Sequence, residues 1–292
     1  MGLFTGSCVA MATPFNKEGI NLEALGKTIV FQIEQGTDAL LVCGTTGEPA
    51  TMSREEKASV IRYTVEKTAK RVPILAGVGG NHTAEVVRAS MEAEKLGADA
   101  VLAVTPYYNK TNARGLIAHY REINDAVHIP IILYNVPSRT GMNVSPAAMK
   151  ELSGLPHIIG IKEASGNIAQ VLEMRRLCGE SVDIYSGNDN MVVPLLAAGG
   201  KGVVSVVANV APRDTHRMVA EFMNGHFKES LDLQLKLLPL IDALFCEVNP
   251  IPVKTAMNLM GFDMGPLRLP LADMAENHLS LLKQQMHEYG LM

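Results

Sequence analysis

Eight short apolar runs, separated by amphipathic segments, constrain the fold of this chain more than any other feature of its 292 residues. The runs are rich in β-branched residues and recur roughly every 20 to 34 residues, the period of a strand followed by a helix. Each run is apolar throughout rather than alternating, which is typical of parallel strands covered on both faces. We therefore predict strands at residues 7–11, 39–43, 72–76, 100–104, 129–134, 158–162, 182–185 and 202–207.

The segments between these runs have helical periodicity, and some begin with a capping box such as Ser53 followed by Glu56. This alternation predicts an α/β fold, a (β/α)8 TIM barrel, over residues 1–225. An open doubly wound sheet is the rival, but it would need a glycine fingerprint after its first strand, where residues 12–15 read Ala-Thr-Pro-Phe. Residues 226–292 contain no further apolar runs of this kind and predict a C-terminal helical extension packed on the barrel.

Composition and charge exclude several classes of partner. The hydrophobic fraction of 47% with 19% charged residues is typical of a soluble globular protein. A net charge of −4 without a Lys/Arg run argues against nucleic acid, and the absence of a long uninterrupted apolar stretch argues against a membrane span. Four widely spaced cysteines and an N-terminus unlike a signal peptide predict a cytoplasmic protein. The scattered histidines, without an H-E-x-x-H pattern, predict no metal site.

Lys162 stands at the end of the sixth predicted strand, in a position where a lysine is partly desolvated. Desolvation disfavours the charged form of the amine relative to the neutral form. A neutral amine attacks carbonyl carbon, and the position therefore suggests Schiff-base chemistry. The residue alone does not decide this, since a lysine at a strand end can also extend its amine into water.

Polar segments follow one predicted strand after another. In a (β/α)8 barrel the carboxyl ends of the strands and the loops after them form the active site. Each segment alone is as well explained by a turn or by core packing, but their convergence on one face favours an active site around Lys162. The segments are residues 44–48, 105–109, 134–141, 162–163, 186–189 and 205–209.

Together these segments resemble the dihydrodipicolinate synthase / N-acetylneuraminate lyase family of class I, Schiff-base lyases and aldolases. The resemblance runs from Gly6 to the closing helices and is supported by six blocks in order: Gly44-Thr45-Thr46-Gly47-Glu48, Thr105-Pro106-Tyr107-Tyr108-Asn109, Tyr134-Asn135-Val136-Pro137-Ser138-Arg139-Thr140-Gly141, Ile161-Lys162-Glu163-Ala164, Ser186-Gly187-Asn188-Asp189 and Asn249-Pro250-Ile251-Pro252-Val253-Lys254. It implies a lyase that condenses pyruvate with L-aspartate 4-semialdehyde to 4-hydroxy-tetrahydrodipicolinate, in diaminopimelate and lysine biosynthesis.

The resemblance also implies a role for each matching residue. The catalytic residues would be Lys162, Tyr134, Thr45 and Tyr108. Lys162 would form the imine, and Tyr134 would be a proton shuttle hydrogen-bonded to Thr45 or Thr46. Thr45 would belong to the proton relay, and Tyr108 would be donated across a subunit interface, beside Tyr107. The substrate-binding residues would be Thr46, Arg139, Gly187 and Val204. No cofactor and no metal are implied, because pyruvate is held as an imine on Lys162. The implied assembly is a homotetramer built from two tight dimers.

Two alternatives remain open at this stage. One is another pyruvate-dependent aldolase, acting on a 2-keto-3-deoxy sugar acid or on 4-hydroxy-2-oxoglutarate. Arg139 discriminates, because a guanidinium facing the site would pair with the semialdehyde carboxylate, whereas sialic acid lyases usually lack this arginine. The other is a non-catalytic member that only binds a keto acid, against which the presence of Lys162, Tyr134, Thr45 and Tyr108 argues.

The resemblance bears on regulation as well. Some family members are inhibited by L-lysine in a cleft between the subunits of the tight dimer, and the matching segments here are residues 49–57 and 81–85. Sensitive members usually have histidine at the position of Lys57, and often at that of Arg54. Fixed positive charge beside a cationic ligand predicts that L-lysine inhibits this chain weakly or not at all, although Glu85 offsets part of the repulsion.

Overall fold

The computed structural model describes residues 2–292 and contains a closed barrel of eight parallel strands, which confirms the predicted (β/α)8 fold. Each strand pairs with its neighbours in the chain, and the first pairs with the last. The strands are Gly6–Ala10, Ala39–Val42, Ile74–Gly77, Ala100–Val104, Ile131–Asn135, Ile158–Glu163, Asp183–Ser186 and Gly202–Ser205. A small hairpin of Phe15–Asn16 and Gly19–Ile20, which the sequence did not predict, follows the first barrel strand.

Two predicted strands begin two residues too early, and a proline explains each of these errors. The third and fifth strands start at Ile74 and Ile131, each directly after a proline, rather than at residues 72 and 129. Proline has no backbone N–H to donate to a strand ladder, so regular pairing begins at the next residue.

Helices follow the strands and cover the outside of the barrel. Several begin with a side-chain cap; Ser53 accepts from the Glu56 N–H in the predicted capping box. The helices are Leu22–Glu34, Arg54–Thr68, Thr83–Lys95, Ala113–Ala126, Pro137–Thr140, Pro146–Leu152, Ile168–Cys178, Val192–Ala197, Pro212–Met223, Phe227–Leu244, Ile251–Leu259 and Glu276–Tyr289. Within residues 2–292 none of them is long and apolar enough to cross a membrane.

The inside of the barrel is filled by alternate residues of the strands. Leu41, Leu102 and Tyr134 belong to one buried cluster inside the barrel, whereas their neighbours in sequence pack outward against the helices. Phe4 and Tyr185 stack at a centroid distance of 4.3 Å within the same inner cluster. The interior is therefore a packed core, and polar chemistry is confined to the carboxyl ends of the strands.

The C-terminal helices share a core with the last barrel units. Leu237 and Val253 from the extension lie in one buried cluster with Val203 and Met218 from the barrel. A shared core means that the extension packs on the barrel rather than forming a separate globule. The division between residues 1–225 and 226–292 stays a prediction, with the helix Phe227–Leu244 as the first element beyond it.

Candidate active site

Lys162 lies on the sixth strand and faces the barrel interior. It pairs in register with Tyr134 on one side and Tyr185 on the other, and both are members of the inner cluster. The side chain is buried, with 5% of its surface exposed, and its Nζ lies 4.3 Å from the centroid of the Tyr134 ring. Among residues 2–292 its amine has no hydrogen-bond or ion-pair partner. The structure thus holds a buried amine beside a phenol, without a carboxylate in contact.

Gly187 makes room for the stem of this lysine. A Cβ at position 187 would lie 3.1 Å from Cε of Lys162 and 2.7 Å from Cβ of Ala164. The shorter contact would force Ala164 to shift, and the longer one would press on the stem of the lysine. Val204, on the eighth strand, is buried in the inner cluster with Tyr134.

Two acidic side chains of neighbouring elements, Asp189 and Glu163, make hydrogen bonds to groups other than the Lys162 amine. Oδ2 of Asp189 accepts hydrogen bonds of 2.9 Å from the N–H groups of Val206 and Val207, and burial raises the pKa of its carboxyl. Glu163 lies on the opposite side of the strand, where it accepts from Asn135. Burial also raises the pKa of the Cys8 thiol, which keeps it neutral inside the barrel.

A cavity of about 340 Å³ opens beside Tyr134 at the carboxyl ends of the strands. Thr45, Tyr107, Tyr134 and Arg139 line it, whereas Lys162, Thr46, Gly187 and Val204 are not among its lining residues. Tyr134 therefore contacts both the cavity and the lysine. Arg139, from the short helix Pro137–Thr140, shares this cavity with Tyr134 instead of facing away from it.

One expected hydrogen bond is absent. Among the described residues the Tyr134 hydroxyl is bonded to neither Thr45 nor Thr46, so that expectation is wrong for this structure. Oγ1 of Thr46 instead accepts a bond of 3.0 Å from the side-chain amide of Asn249. Thr45 stays free to face the cavity.

The adjacent tyrosines 107 and 108 point in different directions. Tyr107 lines the cavity and is 40% exposed. Tyr108 is 90% exposed, has a backbone φ of 67°, and is not among the residues that line the cavity. A large aromatic side chain exposed to this extent is typical of a surface that another protein chain covers.

Sequence reasoning missed the residues that hold the Thr45–Gly47 turn from the C-terminal extension. Nζ of Lys254 donates to the carboxylate of Glu48, the residue directly after that turn. Burial lowers the pKa of Lys254, and the nearby Glu48 carboxylate opposes that shift. Glu48 is the last residue of the sequence block 44–48, and Lys254 is the last residue of the block 249–254. The opposite charges at the ends of these two blocks were the only sign in the sequence that the residues pair.

A second cleft, of about 300 Å³, adjoins the first and shares Lys57 and Tyr107 with it. Its other polar lining residues include Arg54, Asn81 and Glu85. Arg54 is already paired with Glu92, at 2.7 Å from Nε to the carboxylate. These are the residues that the sequence associated with regulation by L-lysine.

Comparison with known proteins gives one consistent result. The model of the Dihydrodipicolinate synthetase family matches residues 3–289. A 4-hydroxy-tetrahydrodipicolinate synthase of Caldicellulosiruptor bescii is 56% identical over 292 residues, which is 100% of this chain and 99% of that protein. The crystal structure of the dihydrodipicolinate synthase of Thermotoga maritima is 41% identical, with a TM-score of 0.98 over 100% of both chains. That of Cyanidioschyzon merolae, with lysine bound, is 36% identical, with a TM-score of 0.97 over 100% of both chains.

Proposed function

The chain belongs to the dihydrodipicolinate synthetase family, and from that membership we propose how its site performs the reaction of 4-hydroxy-tetrahydrodipicolinate synthases. That reaction condenses pyruvate with L-aspartate 4-semialdehyde and is the first committed step of diaminopimelate and lysine biosynthesis. The chain is a lyase of this type. The observation that best supports the mechanism is the buried, unpaired amine of Lys162 beside Tyr134.

In this mechanism the amine of Lys162 attacks the ketone carbon of pyruvate, and loss of water gives a protonated imine. The positive nitrogen acidifies the adjacent methyl group, so loss of a proton gives an enamine. The enamine carbon attacks the aldehyde carbon of the semialdehyde, whose oxygen takes up a proton. The amine of the second substrate then adds to the imine carbon, closes the ring and releases Lys162. Because the imine itself withdraws electrons, the reaction needs no metal, nucleotide or pyridoxal phosphate.

Tyr134 is the proton shuttle in this scheme. Its ring contacts the lysine amine and it also lines the cavity, so one side chain reaches both the imine nitrogen and an incoming substrate. Thr45 lines the same cavity and is the next member of the relay, which requires the hydroxyl groups of Thr45 and Tyr134 to come together from the unbonded positions they have in this structure. Thr46 donates to the pyruvate carboxylate, with Gly187 and Val204 enclosing the keto acid.

Arg139 binds the carboxylate of the second substrate. A guanidinium pairs with a carboxylate through two parallel charge-assisted bonds, and Arg139 faces the cavity that Tyr134 lines. This placement favours the semialdehyde over the sugar acids of the alternative aldolases, whose hydroxyl groups need other partners.

Tyr108 supports an assembly larger than one chain. Its exposed phenol is outside its own cavity, so we assign it to the cavity of a second copy, where it completes the relay of Thr45 and Tyr134. The active unit is then a tight dimer, and two such dimers form the tetramer. We place the enzyme in the cytoplasm, because its four cysteines are free thiols.

A steady-state assay tests the proposed function. Purified protein should consume pyruvate and L-aspartate 4-semialdehyde in equal amounts, and Lys162→Ala should abolish this consumption while the protein remains folded. Turnover of 4-hydroxy-2-oxoglutarate or of a 2-keto-3-deoxy sugar acid in preference to the semialdehyde would instead establish the alternative aldolase.

A further inference from the structure

Asn249 contacts two of the residues that we assign to substrate binding, Thr46 and Arg139. It lies in the C-terminal extension, just before the helix Ile251–Leu259, and its side chain is buried. The side-chain amide donates to Oγ1 of Thr46 at 3.0 Å, and the backbone carbonyl accepts from Nη2 of Arg139 at 3.3 Å. One residue of the extension therefore connects the group assigned to pyruvate with the group assigned to the semialdehyde.

The direction of the Thr46 bond matters for its chemistry. A hydroxyl has one proton to donate and two lone pairs to accept with. Because the amide of Asn249 donates to the Thr46 oxygen, the hydroxyl proton is left free to bond to a carboxylate. The amide contact thus fixes Thr46 as a donor, the role that binding of the pyruvate carboxylate requires.

The side-chain oxygen of Asn249 lowers the stability of the fold, and the contact of the amide with Thr46 explains why asparagine is present despite this cost. Oδ1 is buried and has no hydrogen-bond partner among residues 2–292. A buried acceptor without a partner destabilises a fold, so an apolar residue of similar size would pack here at lower cost. The choice of asparagine at position 249 is therefore explained by the hydrogen bond to Thr46 and not by packing of the core.

We propose that Asn249 is a positioning residue for the condensation, whose side-chain amide orients Thr46 toward the pyruvate carboxylate and whose backbone carbonyl holds the Arg139 guanidinium. This inference rests on the proposed function. The two contacts can be tested separately, because a substitution of the Asn249 side chain removes the bond to Thr46 and leaves the backbone carbonyl that bonds Arg139. Side-chain variants should therefore impair pyruvate binding and spare the semialdehyde.

The test measures the pyruvate concentration that half-saturates borohydride trapping of the imine. Asn249→Ala should raise this concentration about tenfold, the usual effect of losing one hydrogen bond, while the KM of the semialdehyde at saturating pyruvate changes less than about twofold. Asn249→Asp should be impaired at least as strongly, since a carboxylate cannot donate and would compete for the Thr46 proton. Asn258→Ala, which removes another amide of the extension that bonds Gly265 and Met264, is the matched control and should behave as wild type.

A double-mutant cycle distinguishes positioning from a general structural effect. If Asn249 acts through Thr46, Asn249→Ala added to Thr46→Val should have no further effect on half-saturation. Additive effects, or an unchanged half-saturation in both Asn249 variants, would overturn the inference while wild-type trapping still supported the proposed function. Failure of the wild-type protein to trap pyruvate would overturn the proposed function itself.

Discussion

Nζ of Lys254 lies 2.8 Å from Oε1 of Glu48, and both side chains are only 1% exposed. The pair joins the C-terminal extension to the end of the Thr45–Gly47 turn, with further bonds from Lys254 to the Pro266 carbonyl and from the Arg268 N–H to Glu48. Two opposite charges without access to water are stable only while each remains paired. The pair therefore makes the position of the active-site turn dependent on the extension.

Lys254→Met should destabilise the protein by about 3–5 kcal/mol, since it leaves the Glu48 carboxylate buried without its counter-charge. Unfolding in urea at matched protein concentration measures this. Adding Glu48→Gln to Lys254→Met should recover much of the loss, because the remaining amide is neutral. Lys228→Met, which breaks an exposed pair with Asp232, is the control and should leave the free energy of unfolding nearly unchanged. Equal losses in Lys254→Met and Lys228→Met would contradict this account of the buried pair.

Arg139→Ala should raise the KM of L-aspartate 4-semialdehyde by roughly 30- to 1000-fold, because a paired charge-assisted contact contributes about 2–4 kcal/mol. Trapping of pyruvate on the protein should remain close to wild type. Arg139→Lys keeps the charge but not the planar pair of donors, so its KM should be intermediate. If both substrates lost affinity equally, Arg139 would be a structural residue and not the carboxylate-binding group.

Tyr108→Phe should lower kcat without changing the oligomeric state, since only the phenolic proton is lost. The sharper test is complementation between subunits. When Tyr108→Phe and Lys162→Ala chains are co-expressed, a mixed dimer has one site with an intact lysine and an intact donated tyrosine. Specific activity per mixed dimer should then exceed the mean of the two parent variants. Activity equal to that mean would show that Tyr108 acts within its own chain or not at all.

L-lysine should inhibit this enzyme weakly. In the second cleft Arg54 is paired with Glu92, so Lys57 supplies most of the uncompensated positive charge near the cationic ligand. Like charges about 4 Å apart cost roughly 1–4 kcal/mol, enough to weaken binding tenfold or more. Lys57→His should increase sensitivity, whereas Arg62→His, on the exposed face of the same helix, should not. Half-inhibition of the unmodified protein below about 1 mM L-lysine would contradict the charge argument.

The barrel could be predicted from sequence because its signal is local. Each strand is a short apolar run, and the position of Lys162 follows from the end of one such run. The errors at the third and fifth strands are also local and come from Pro73 and Pro130, which a stricter use of proline would have corrected.

The contacts around the active-site turn could not be predicted in this way. Asn249 and Thr46 are 203 positions apart in the chain, and Lys254 and Glu48 are 206 apart. Periodicity and capping describe neighbours in sequence, whereas these contacts depend on how the extension packs over the barrel. The absence of a bond from Tyr134 to either threonine likewise depends on how distant elements pack, and Thr46 is bonded instead to the side-chain amide of Asn249. The role proposed for Tyr108 involves a second copy of the chain, and neither the periodicity of the sequence nor the structure of one chain can test it.

Reduction with borohydride in the presence of pyruvate, followed by mass mapping of the digested protein, shows which lysine forms the imine. We expect one stable adduct, located on Lys162, formed only when pyruvate is present and lost in Lys162→Ala. Lys254, which is also buried but paired with Glu48, is an internal control and should stay unmodified. An adduct on any other lysine, or no adduct at saturating pyruvate, would show that Lys162 is not the Schiff-base residue.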